Sequence, residues 1–176
     1  RSSGKQYLEF VIGVSNPYVD RIGFSDINMP LNLNPASYAN AWDFYTYSNK
    51  IYVVHGNTTL TTITSTHYVK DDIISVAVDL DSGKMWLGQN GTWIDSGDPE
   101  TGANPHATGL TGALYPFYSP YGSTTTCTIA GHDDCEYDPP EGYDFWDGIH
   151  ETLIECEIAG GIEAEAHAAA VGGAIV

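Results

Sequence analysis

Asp95, Asp98 and Glu100 stand close together in "IDSGDPETGANPHATGL", among glycines and prolines whose turns leave backbone carbonyls free. Oxygen donors at that density suit Ca2+, which takes six to eight hard ligands, although the spacing has no EF-hand order. These three acids are the candidate metal ligands, and calcium is the one cofactor raised; a plain solvated loop is the competing reading. A second constellation is aromatic. Tyr45, Tyr47, Tyr115, Tyr118 and Tyr121 are candidate partner-binding residues, because tyrosine offers a flat apolar ring with a polar tip. The bland alternative is that several of them close the ends of a core.

Hydrolytic chemistry is poorly served. A retaining glycosidase needs two carboxylates about 5 Å apart across the scissile bond. Asp79 and Asp81 are spaced to share a strand face, but they belong to "DLDSG", where aspartate more often accepts backbone N–H groups within a turn. Asp71 and Asp72, directly before an apolar run, read the same way. No Gly-x-Ser-x-Gly elbow, His-Glu-x-x-His pair or phosphate-binding glycine loop occurs, and the six histidines are scattered. Cys127 and Cys135 flank the turn-like "GHDD", which leaves a cross-hairpin disulfide and two thiols both open. With His132 they lack a fourth ligand and any zinc spacing. A non-enzyme is the expectation.

These residues require strands to hold them. "YLEFVIGV", residues 7 to 14, alternates apolar side chains, and similar runs recur at 21–25, 43–47, 51–54, 58–66, 73–80, 84–89, 114–119 and 124–129. Gly, Pro, Asn and Asp separate them, and nothing before residue 150 has a capped helical period. The spacing predicts an all-β antiparallel β-sandwich. Within "VDLDSGKMWLGQNGTW", Asn90-Gly91 supplies the positive-φ pair of a type I′ turn. That turn sets Gln89 opposite Thr92, Gly88 opposite Trp93, Leu87 opposite Ile94 and Trp86 opposite Asp95. Trp86 and Trp93 then share one face, with Trp93 covering Gly88, while Met85, Leu87 and Ile94 take the other. Packing is favoured over ligand contact for both tryptophans.

Six Lys and Arg against 23 Asp and Glu give a net charge of −17, which argues against nucleic acid and anionic membranes as partners. No apolar run reaches the roughly 20 residues of a membrane span. The chain opens at Arg1 without methionine, so a fragment of a longer polypeptide is suspected. Asn57 and Asn90 head formal glycosylation sequons, relevant only in a eukaryotic secretory host. After Gly148 the composition changes to Ala, Gly, Glu and Ile, with Glu163, Glu165 and His167 alternating with alanines. That period of two suggests an extended or β arm at 149–176, appended to a sandwich at 1–148. The arm is expected to order against another subunit, making a homo-oligomer.

In order and approximate spacing, "GKQYLEF", "IGFS", "DDIISVAVDLDSGKMWLGQNGTW", "LYPFYSP" and "YDPPEGYDFW" resemble a SPRY domain, a concanavalin A-like jelly roll, over residues 4 to 146. The insertion "DSGDPETGANPHATGL" is similar to the form of this domain in bacteriophage structural proteins. The resemblance implies a non-catalytic recognition or structural module, in a virion or other extracellular assembly. Its partners would be other subunits, or a host-surface glycan or protein reached through edge loops. A lectin-like adhesin is the alternative, and a glycoside hydrolase-like enzyme stands behind it. Family members share no ligand motif that transfers to particular residues here.

Overall fold

The Asn90-Gly91 turn forms as its sequence dictates, with φ of 50° and 76° at the two positions. A side chain at Gly91 would also press on Tyr137, whose Cε1 lies 2.6 Å from an ideal Cβ. This hairpin is one corner of the structure, a computed structural model that describes residues 1–14, 20–30, 33–120, 125–146 and 152–155. The strands in chain order are β1 (Lys5–Val14), β2 (Arg21–Ser25), β3 (Ala41–Tyr47), β4 (Lys50–His55), β5 (Thr58–Ile63), β6 (Ile73–Asp79) and β7 (Lys84–Gln89). They continue as β8 (Thr92–Trp93), β9 (Ala107–Thr108), β10 (Tyr115–Ser119), β11 (Thr126–Ala130), β12 (Asp144–Phe145) and β13 (Thr152–Glu155). Among the described residues the only helical turns are three short 3-10 turns.

The strands make two sheets. One runs β13-β11-β1-β6-β7-β8, with β12 pairing in parallel to β1 and β9 pairing to β7; the other runs β10-β2-β3-β4-β5. This is the expected all-β sandwich. Alternate residues of each strand face the gap between the sheets. Phe10 from the first sheet meets Phe24 and Phe44 of the second edge-on, at 6.4 and 6.0 Å between ring centroids. Leu8, Ile22, Trp42, Ile51, Val76, Met85, Leu87 and Ile94 fill the same core. Burying each such side chain contributes about 1.5–3 kcal/mol.

A second apolar layer lies outside the larger sheet. Tyr7, Ala77, Trp86 and Tyr143 are buried together, with Trp93, Cys135, Tyr137 and Phe145 packed against them. The segment that follows β11 therefore folds back as a cover, and both tryptophans serve packing. The expected register holds where the turn controls it: Gln89 pairs with Thr92 and Gly88 with Trp93. It stops there. The Leu87–Ile94 and Trp86–Asp95 pairs do not form, because Asp95 and Ser96 take left-handed backbone (φ 47° and 60°) and turn the chain out of the ladder. Ile94 still points into the core beside Met85 and Leu87.

The cysteines settle on opposite sides of their sheet. Cys127 faces the inter-sheet core, Cys135 joins the outer layer, and both are free thiols. Burial pushes the Cys135 thiol up to about 12, with Glu9 adding to it, so it stays protonated at neutral pH. Asp79 and Asp81 act as turn acids. Asp79 accepts from the backbone N–H groups of Asp81 and Ser82 at 3.0 Å, and Asp81 from that of Gly4. Asp72 does more than turn the chain: it accepts from the Val69 N–H and from the side-chain amides of Gln89 and Asn90, which ties the 64–72 loop to the hairpin. The sheet also reaches past residue 148. Thr152–Glu155 pairs with β11, so the first strand of the expected arm lies against its own sandwich; residues 156–176 lie outside the described residues.

Candidate partner-binding face

β3 alternates strictly. Trp42 and Phe44 enter the core, which leaves Asp43, Tyr45 and Tyr47 on the outer face of the smaller sheet. The same parity places Arg21 on β2, Tyr52 on β4, and Tyr115 and Phe117 on β10 on that face. Register then aligns Ser119, Arg21, Tyr45, Tyr52 and Thr62 in one row across five strands. The Arg21 guanidinium sits 4.1 Å over the Tyr45 ring, whose other side stacks on Tyr52 at 5.1 Å and 15°. A cation and two rings thus form a ladder, each step contributing about 0.5–1.5 kcal/mol.

The ladder is held from below. Arg21 pairs with Asp43, whose side chain is fully buried. Burial pushes the Asp43 carboxyl above its usual range, against the pull of the guanidinium, and its Oδ1 is buried without a hydrogen-bond partner. Such a pair fixes geometry more than it stabilises. Gly23, opposite Asp43, makes the arrangement possible. An ideal Cβ there would run into the Trp42 carbonyl and come within 2.7 Å of Asp43 Cα.

Three of the five candidate tyrosines therefore share one face: Tyr45 half-buried, Tyr47 48% exposed and Tyr115 38% exposed. Tyr118 does not. It is buried in the inter-sheet core and donates its hydroxyl to Asp20, so it closes the core. Tyr121 lies outside the described residues. Tyr52 and Phe117 were missed. The signal for Tyr52 was present in "KIYVV", where burying Ile51 and Val53 forces the residue between them outward.

The three acids of the insertion turn to separate partners. Asp95 accepts from the Ser65 hydroxyl at 2.7 Å, Asp98 from the N–H and hydroxyl of Thr101, and Glu100 from the Glu141 N–H. The Thr101 hydrogen bonds hold Asp98 below the usual carboxylate range. Among the described residues no group of three His, Cys, Asp or Glu could hold a metal ion. The insertion is instead built onto β7. Its Ala103 carbonyl accepts from the Trp86 indole at 2.7 Å, and His106 Nδ1 accepts from the Leu87 N–H at 3.1 Å.

That histidine gives a pH dependence with a definite sign. Burial lowers the His106 pKa, with Asp95 and the Ile94 carbonyl opposing. Below pH ~6.5 the unfolded chain binds a proton that the folded chain refuses, so stability falls as pH drops through that value and is fully present above it. His106→Gln is expected to flatten the decline in melting temperature between pH 7.5 and 5.5. A decline as steep as the wild type's would assign the pH effect to other groups.

On the larger sheet's outer side an open depression of about 220 Å3 between Val11, Thr128, Ala130 and Asp134 brings together no acid-base pair or nucleophile. No family model and no curated protein matches the sequence. Among solved structures, the SPRY domain of human HERC1 is similar to this chain at 18% identity and a TM-score of 0.53, over 74% of this chain and 75% of that one. The shared β-sandwich is thus the SPRY fold.

Proposed function

We propose that this chain is a non-catalytic recognition module that binds a protein partner through the outer face of its five-stranded sheet. The observation that carries the reading is the asymmetry between the two sheets. Around Tyr7, Ala77 and Trp86 the larger sheet's outer face is buried under the chain's own aromatic layer, whereas the smaller one presents a row of tyrosines anchored by Arg21. Tyrosine and arginine are the residues that most often carry binding energy at protein interfaces. The hydroxyls of Tyr45, Tyr52 and Tyr115 have no hydrogen bond within the described residues, so they can pair with backbone groups of a partner. A glycan is less well served, because a sugar stacks on an open ring face and both faces of Tyr45 are taken. The SPRY fold adds the prior of an interaction module. The setting in a virion or other extracellular assembly belongs to this proposal through the resemblance of the insertion to the bacteriophage form.

Selection of a displayed random-peptide library on the full chain tests it. Enriched peptides are expected to lose at least about thirtyfold in affinity on Tyr52→Ala, the loss of one interface hot spot. The melting temperature of that variant should fall by no more than a few degrees, the loss of one ring stack. Peptides indifferent to Tyr52→Ala and Tyr47→Ala, with glycan-array binding sensitive to both, would transfer the face to carbohydrate.

A further inference from the structure

The two edges of the smaller sheet are built differently. β10 carries Pro116, which lacks a backbone donor and blunts an edge. The other edge, β5, reads "TTLTTI": no proline, no charge, four residues exposed and Leu60 39% exposed, with a single register shift against β4 that leaves Leu60 between the Thr59 and Thr61 pairs. Its outer side pairs with no strand among the described residues. The bare edge is part of a longer feature. From Ile51 to Val69 there is no Asp, Glu, Lys or Arg, in a chain whose net charge is −17. Copies so acidic repel each other, and they can approach closely only along a strip that carries no carboxylates.

We infer that two copies of this chain pair edge to edge through β5, antiparallel about a two-fold axis. Such a contact is self-complementary, as a two-fold requires. Main-chain hydrogen bonds supply the affinity, threonine faces threonine across the new ladder, and no like charges oppose one another. The axis stands perpendicular to the sheet, so a continuous ten-stranded sheet results with both tyrosine rows on one side. Tyr52 and its copy are then three strand spacings apart across the sheet, at least ~14 Å. A dimer would engage a repetitive partner twice.

Sedimentation of the full chain against concentration tests this. The wild type is expected to dimerise, more tightly as salt screens the long-range repulsion. Leu60→Lys with Thr62→Lys should raise the dimer dissociation constant at least about tenfold, because ammonium groups then face each other across the two-fold. The pair makes the chain less acidic, which by itself would favour association, so weaker dimerisation cannot be a net-charge effect. Thr108→Lys with Thr111→Lys, on the other sheet and a loop, makes the same charge change and should not weaken the dimer. In the wild type, deuterium uptake by β5 amides should fall as concentration rises. A monomer at every concentration, uptake independent of concentration, dimers weakened by salt, or dimers indifferent to the β5 lysines would each overturn the inference.

Discussion

Trp86→Ala is expected to cost about 3–5 kcal/mol of folding stability, the range for deleting a large buried aromatic side chain. Trp86 is wholly inaccessible to solvent and lies opposite Ala77 on β6, with Tyr7 and Tyr143 in the same layer. Ala77 cannot grow into the space, so the cavity would persist. The truncation also removes the indole donor to the Ala103 carbonyl, which leaves that carbonyl with the Asp98 N–H alone and loosens the insertion from β7. In a chain of this size the melting temperature should fall by about 6–20 °C. Trp93→Ala should do less, because Trp93 is only half-buried and the ladder ends there. Equal losses from the two changes would mean that Trp86 owes its effect to the hairpin and not to the layer beneath the insertion.

What the sequence disclosed here was local. A two-residue turn with Asn90-Gly91 fixes register by backbone geometry alone, so the pairing of Gly88 with Trp93 and the separation of Met85 and Leu87 from Trp86 could be derived residue by residue. The derivation failed two residues on, where Asp95 and Ser96 adopt backbone that no alternation pattern reveals. Which tyrosines face outward was only half legible. "WDFYTY" and "YPFYS" have bulky residues at both parities, and a strand covered on one side and aromatic on the other shows no contrast to read. Tyr118 turned inward because its partner on β2 is Ile22, a pairing set by contacts far apart in sequence. The Arg21, Tyr45 and Tyr52 row depends on two such registers at once. Cys127 and Cys135 were close enough in sequence to suggest a bridge, but the alternation of β11 points Cys127 into the core, while Cys135 follows the short turn at His132–Asp134 and joins the outer layer.

Glu9→Ala should be as damaging as Trp86→Ala, through a different mechanism. Glu9 is fully buried on the outer side of β1, where an unpartnered carboxylate would be very costly. It is paid for by three donors: the Tyr7 hydroxyl at 2.6 Å and the Tyr137 N–H at 3.0 Å on Oε1, and the Glu136 N–H at 2.8 Å on Oε2. Two of those donors belong to the segment after β11, so this one side chain fastens the aromatic cover to the sheet. Alanine leaves the Glu136 and Tyr137 N–H groups without an acceptor, while the Tyr7 hydroxyl keeps Ser75 Oγ at 3.0 Å; hydrogen bonds to a charged group contribute about 1.5–3 kcal/mol each, of which solvent entry restores part. A loss of about 3–5 kcal/mol follows. Glu9→Gln keeps one acceptor oxygen but turns an NH2 toward a donor, so it should lose roughly half as much. Denaturant unfolding gives the ordering of the three proteins, and deuterium uptake gives the location: amides of 131–137 should exchange faster in Glu9→Ala while β3 and β4 hold. Wild-type stability in Glu9→Ala would show that Tyr137, Tyr143 and Phe145 hold the cover by apolar contact alone. If the latch matters as argued, its loss opens a second aromatic face on the larger sheet, and Glu9→Ala should aggregate through that face without any change in the tyrosine row on the other.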